Sequence, residues 1–191
     1  MNCLIIYSHP NPKSFNHAIK ETLKKAFEAQ GHAVCVRDLY AMKFDPVLKA
    51  KDFELMSKKR VAGDVKKEQG HVRWADVIFF VFPVWWDSFP AITRGYLDRV
   101  FSTNFAYTED GKGLLKGKKV AIICTFGAPK SVCESMGVFK AMDITIGECL
   151  AGFCGMTLLE SKYFTSVPSA TDAEKKKMLE EVASFAKRDF A

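Results

Sequence analysis

Short, uninterrupted apolar runs alternate along this chain with longer segments whose apolar residues recur at helical spacing. Residues 3–7 (Cys-Leu-Ile-Ile-Tyr) suit a parallel strand buried on both faces. Ser14 stands where a helix cap belongs; behind it Ala18, Leu23, Ala26 and Phe27 fall on one side, and Gly31 supplies a stop. Residues 33–36 read as a second strand. A polar, lysine-rich stretch, 41–70, predicts short helices on the surface. Residues 77–82 (Val-Ile-Phe-Phe-Val-Phe) form the most strand-like run of the chain. Pro90 opens a helix over 91–101, at a position where its missing N–H has no helical partner to lose. Residues 119–125 make a fourth strand, 138–153 a helix, 156–164 a fifth strand, and 172–188 a closing helix.

Strands separated by helices predict an α/β fold: a doubly wound, five-stranded parallel sheet with helices on both faces. Without repeats, low-complexity segments or a linker, residues 1–191 are expected to form a single domain, a size that buries a substantial core. The net charge of +6 comes from basic residues spread along the chain. The densest run, Lys175-Lys176-Lys177, belongs to an amphipathic helix and reads as a solvated face, so no nucleic-acid partner is expected. There is no basic leader and no apolar stretch long enough to cross a bilayer, which points to the cytoplasm with no membrane insertion. Six cysteines show neither C-x-x-C nor paired ligand spacing, so they read as reduced, with no disulfide framework and no metal site.

Ligands of such sheets bind beyond the carboxyl ends of the strands, where the strand order reverses. Three segments qualify. Ser8 to Asn16 follows the first strand and leads into a helix, an arrangement that aims backbone N–H groups at an anion. It has no glycines, which disfavours the dinucleotide and phosphate-loop turns, but offers hydroxyl, amide, imidazole and ammonium donors. The same residues also read as a helix cap and a plain loop. After the third strand, Trp85 and Trp86 adjoin Asp87, Ser88 and Phe89. A flat aromatic ligand stacked there explains them, and so does a subunit interface. After the fourth strand, Thr125, Phe126, Gly127 and Ala128 form a turn that lets a ligand approach the backbone.

In this order the three loops resemble the flavodoxin-like NAD(P)H:quinone oxidoreductases, including the bacterial general-stress and potassium-efflux-ancillary flavoproteins. The most specific parts are His9-Pro10 with Ser14-Phe15-Asn16, the run from Phe82 to Trp86 continuing through Pro90-Ala91-Ile92, and the stretch from Gly95 to Phe101. Phe105-Ala106-Tyr107 ahead of Gly111 to Leu115 also fits. The resemblance implies a non-covalent flavin, FMN or FAD with FAD slightly favoured, reduced by NADH or NADPH and reoxidised in a ping-pong cycle by a quinone or similar small acceptor. It implies that His9, Lys13, Ser14, Phe15 and Asn16 hold the flavin phosphate and ribityl chain. Pro83, Val84, Trp85, Trp86 and Asp87 line the ring, with Thr125, Phe126, Gly127 and Ala128 on its other edge. Gln69 matches a flavin contact of FAD-binding relatives, and a homodimer with its active site at the subunit boundary is expected.

One departure stands out. The mammalian-type enzymes carry a tyrosine and a histidine after the fourth strand, where this chain reads from Pro129 to Gly137 without either. No catalytic residue is assigned to Cys133 or Lys130 in their place. Three other readings remain open: an ancillary flavin-binding subunit of a transporter, a flavodoxin-like electron carrier, and a flavin-free α/β protein whose tryptophans form only an interface. The positive net charge disfavours the carrier, which usually presents an acidic face.

Overall fold

The computed structural model describes residues 1–188. Four strands carry the sheet: β1 (Asn2–Tyr7), β2 (Ala33–Asp38), β3 (Val77–Pro83) and β4 (Lys119–Thr125). Two short ones complete it, β5 (Thr157–Leu158) and β6 (Lys162–Phe164). All pairings are parallel, in the order β2-β1-β3-β4-β5, with β6 also on β4. Going from β1 the chain adds β2 on one side and β3 on the other, so the order reverses between β1 and β3 and the loops after them splay apart.

The helices are α1 (Phe15–Glu28), α2 (Ala50–Ser57), α3 (Gly63–Trp74), α4 (Ala91–Val100), α5 (Lys130–Ser135), α6 (Val138–Met142) and α7 (Asp172–Ala186). α6 runs on as a π-helical stretch, Asp143–Gly152. Because strand side chains alternate, Cys3, Ile5, Tyr7, Phe79 and Val81 pack under α1 and α7. Leu4, Ile6, Ile78, Phe80 and Phe82 face α4 and the segments beside it. β3 is buried at every position, as its unbroken apolar sequence predicts. Ser14 caps α1 by accepting the His17 N–H at 3.1 Å, and Gly31, at φ +76°, turns the chain after it.

Three expectations need correction. The fifth strand is not continuous over 156–164: Leu158 pairs with Val120 but Lys162 with Ile123, so three residues stand against two on β4 and the ladder slips. The extra residue carries Glu160 to Lys162 Nζ (2.6 Å) and to Arg188. Residues 130–135, for which the apolar pattern predicts no element, form α5; it buries Cys133 but is too short to show a helical period. The 41–70 stretch is not simply a surface segment. Arg37 grips the buried Glu68 of α3 through two bonds (2.9 and 2.6 Å), and Arg99 of α4 reaches the Asp45 carbonyl (2.8 Å) and the Asp64 carboxylate (2.7 Å). Charge pairing, invisible to an apolar-period reading, ties this polar region to the core.

Among the described residues no helix is long and apolar enough to cross a membrane, and no group of three or more His, Cys, Asp or Glu could hold a metal ion. The 41–70 region docks at Gly95, where a Cβ would stand 2.1 Å from the Pro46 carbonyl oxygen. Gly95→Ala is therefore expected to lower stability by at least about 1–3 kcal/mol, the usual cost of overpacking, read as a lower urea midpoint. An unchanged midpoint would show that this contact yields freely.

Candidate active site

The three loops chosen from sequence converge on one cleft of about 480 Å³ at the carboxyl edge of the sheet. The first is organised by Asn11, whose Oδ1 accepts the Lys13 N–H (2.8 Å) and whose own N–H is donated to His9 Nδ1 (3.0 Å). Ser8 is buried behind it, its hydroxyl 2.5 Å from that of Thr93 on α4. This turn sets the first residues of α1 at the cleft, and His9, Ser14, Phe15 and Asn16 line it. Asn16 is 3% exposed; its Nδ2 donates to Thr125 Oγ1 at 2.7 Å, which joins the first loop to the end of β4. Its Oδ1 is buried with no partner. Leaving such an atom unsatisfied costs about 1–3 kcal/mol, which a donor supplied by a ligand in the cleft would offset.

The second loop is a two-residue hairpin, with Trp85 and Ser88 exchanging backbone hydrogen bonds at 3.2 Å. Trp86 and Asp87 occupy its tip at φ +53° and +52°, the left-handed pair that this turn demands and that Asn-Gly would satisfy with less strain. The two tryptophans are thereby separated. Pro83, Val84 and Trp85 line the cleft, with the Trp85 ring 6.2 Å from that of His9. Trp86 is 100% exposed, and Asp87 lines an adjoining apolar groove. The third loop is pinned by the Val84 N–H on the Thr125 carbonyl (2.8 Å) and the Phe126 N–H on the Phe164 carbonyl (2.7 Å). Thr125, Phe126 and Gly127 line the cleft; the Ala128 carbonyl accepts the Ser166 N–H at 3.0 Å.

The strand order, the reversal between β1 and β3, and a cleft at that point are those of a doubly wound α/β fold. A profile of the Flavodoxin_2 family, described as a flavodoxin-like fold, matches residues 1–186. The chain belongs to this family. The Flavodoxin_2 chain is 36% identical over 184 residues to an uncharacterized NAD(P)H oxidoreductase of Haemophilus influenzae, covering 94% of this chain and 91% of that one. It is 35% identical to NAD(P)H dehydrogenase [quinone] 1 of Cavia porcellus, over 82% of this chain and 66% of that protein. Its structure is similar to that of the NAD(P)H:quinone oxidoreductase from Methanothermobacter marburgensis, with a TM-score of 0.88, 25% identity, and 98% and 96% of the two chains covered.

Not every residue expected at the site of this Flavodoxin_2 protein is found there. Lys13 is exposed and outside the lining, as are Trp86 and Asp87. Gln69 lies elsewhere altogether: its amide donates to the Val100 carbonyl (3.0 Å) and Ser102 Oγ (3.2 Å), where it braces the end of α4. Cys133 is buried, and burial pushes its thiol up, so it stays protonated and away from the cleft. Lys130 points to Glu134 at 3.6 Å. Conversely, Val167, Pro168 and Lys175 line the cleft and were not anticipated. The signal was available, since they follow the last strand at the same sheet edge.

The cleft thus joins the start of α1, an aromatic wall at Trp85 and an orphaned acceptor, while no carboxylate or thiol lines it. Such a lining can receive an anion and a flat ring. Burial holds His9 below its ordinary value, and the Asn11 N–H on Nδ1 leaves the proton on Nε2, which makes the ring a neutral donor at pH 7. A folded-state midpoint below the unfolded 6.5 contributes stability that is full above 6.5 and is lost as pH falls through the lower value. An NMR pH titration is expected to place His9 below 6.5, and His9→Asn to remove that segment of the stability profile; a midpoint at or above 6.5 would contradict the assignment.

Proposed function

We propose that this protein is a flavin-dependent NAD(P)H:quinone oxidoreductase. The observation that carries the reading is Asn16 Oδ1, a buried acceptor without a partner on a residue that lines a cleft suited to an anion and a ring. The relatives named NAD(P)H oxidoreductase and NAD(P)H dehydrogenase [quinone] support it, and nothing among them favours a carrier or an ancillary subunit. Bound flavin would supply two-electron transfer from NADH or NADPH to a quinone or similar acceptor.

The chain's own residues bind, orient and exclude water. The first N–H groups of α1 and the Ser14 hydroxyl would receive the phosphate, and Asn16 Oδ1 would accept from a ribityl hydroxyl. Lys13, exposed on the same loop, would add charge at the rim. Trp85 and Phe126 would wall the ring, with Gly127 leaving room for its polar edge. Thr125 positions Asn16 through their 2.7 Å bond. Lys175 of α7 brings a cation to the cleft, which supports FAD, and Gln69, outside this cleft, would reach a flavin only across a subunit boundary.

The acceptor's position and the subunit arrangement go together in this reading. An apolar groove of about 500 Å³ adjoins the cleft, lined by Phe89, Leu97, Phe101, Ile146 and Phe153 among others. The fully exposed Trp86 stands on the hairpin that borders it. A second copy covering this groove would bury both and roof the flavin. Sedimentation is expected to show a dimer that Phe153→Glu converts to monomer; a wild-type monomer at micromolar concentration would refute the arrangement.

The purified protein is expected to show flavin bands that bleach within seconds of anaerobic NADPH or NADH addition. Asn16→Leu should weaken flavin binding at least about tenfold, or ~1.4 kcal/mol. A preparation that stays colourless after incubation with FMN and with FAD would overturn the proposal.

A further inference from the structure

β6 is three residues long, and its side chains divide between the two faces of the sheet. Lys162 turns to Glu181 of α7 at 3.1 Å, and Phe164 packs in the core under α1 and α7. Tyr163 between them faces the other way, paired with Cys124 of β4 and set against Phe126. The slip in the ladder decides this. An uninterrupted strand continuing from the Leu158–Val120 pair would set Tyr163 opposite Thr125 and send its ring to the α7 side. The extra residue reverses the alternation. The side chain re-aimed in this way stands directly behind the Phe126 wall of the cleft.

Three rings meet there. Tyr163 and Phe139 of α6 are stacked, with centroids 5.0 Å apart and planes within 5°. Phe126 stands across both, at 5.5 Å and 83° to Phe139 and at 6.0 Å and 86° to Tyr163. Edge-to-face contacts of this kind set the tilt of a ring as well as its burial. The Tyr163 hydroxyl then donates to Asp143 Oδ1 at 2.5 Å. Burial and that carboxylate push the hydroxyl up, so it stays protonated and keeps donating at physiological pH. Asp143 is the first residue of the π-helical stretch, whose Thr145, Ile146, Cys149 and Leu150 line the apolar groove. Ten residues is long for a π-helix, which mostly occurs as a single turn, so the stretch needs holding from outside. Leu158 of β5 meets it at Gly147, where a Cβ would stand 2.5 Å from Leu158 Cδ2, and Tyr163 holds its start.

We propose that Tyr163 is a positioning residue that holds the Phe126 wall of the cleft and the groove-lining π-helical stretch in one fixed relation. It lines neither hollow itself; it acts through Phe126 on one side and Asp143 on the other. The roles of cleft and groove in this inference rest on the proposed function, whereas the mechanical link between them does not. Its two arms separate chemically. Tyr163→Phe removes the hydrogen bond and keeps the stack, and Phe139→Leu removes the stack and keeps the bond.

NMR on the flavin-free protein reads both arms. Tyr163→Phe should speed amide exchange across residues 143–152 at least about tenfold, and Asp143→Ala should match it. Asp143→Asn, which still offers an acceptor, should restore most of the protection. Phe139→Leu should move the Phe126 ring resonances and weaken FMN or FAD uptake at least about threefold. Tyr163→Phe should leave that uptake within about twofold and raise the KM for menadione by more than it lowers kcat, a split that a general loss of stability does not produce. Unchanged exchange in Tyr163→Phe overturns the proposal. So does Asp143→Asn behaving like Asp143→Ala, or Phe126 resonances that ignore Phe139→Leu. If the protein takes up no flavin, the proposed function fails, while amide exchange and the ring resonances still decide the link. If Phe139→Leu does not fold, Tyr163→Phe decides by the same exchange measurement.

Discussion

β3 is buried at all seven of its positions, and the molecule is arranged around the need to cover both of its faces. A parallel strand cannot turn straight back to its neighbour, so each connection must cross the sheet, and helices are laid on both sides in doing so. α1 and α7 take one face, α4 and the π-helical stretch the other. Between β1 and β3 the chain changes direction, and the loops that leave them part company there. The cleft is a consequence of that reversal. Its chemistry was then written into the residues that happened to lie at the strand ends.

Covering β3 also accounts for the molecule's charge arrangement. The segment between β2 and β3 is too polar to pack by apolar burial alone. Arg99, itself buried on α4, draws in the Asp45 carbonyl, Asp52 and Asp64, and Arg37 draws in Glu68. Breaking one member of such a buried set leaves the other charge unpaired, at about 3–5 kcal/mol. Satisfying these inward arginines consumes the acids of α3. Lys59, Arg60, Lys66 and Arg73, which form no ion pair among the described residues, line one outward-facing hollow.

At the cleft, strain and orphaned polarity coincide. The hairpin from Trp85 to Ser88 carries two non-glycine residues in the left-handed region, at about 1–2 kcal/mol each, and Asn16 keeps a buried oxygen without a donor. Both are unfavourable for the chain alone. Both would be relieved in the proposed assembly, where a flavin would complete the cleft and a second subunit would cover Trp86.

Much of this was legible in the order of residues. Alternation of apolar runs with helical periods placed β1, β3, β4, α1 and α4 within a residue or so, because a strand buried on both faces has no polar positions to confuse the reading. The rule that ligands sit beyond strand ends singled out the three loops, and ten of the residues named from them do line the cleft. What local pattern could not express was contact across the fold. Gln69 braces α4 because Val100 and Ser102 approach it from thirty residues away. The fifth strand breaks because its register is set by β4, not by its own composition. Trp85 and Trp86 look alike in sequence, but a left-handed turn sends one into the cleft and the other into solvent. Burial along one element is a property of its own residues, whereas the partner of each polar group is chosen by the neighbours that folding brings to it.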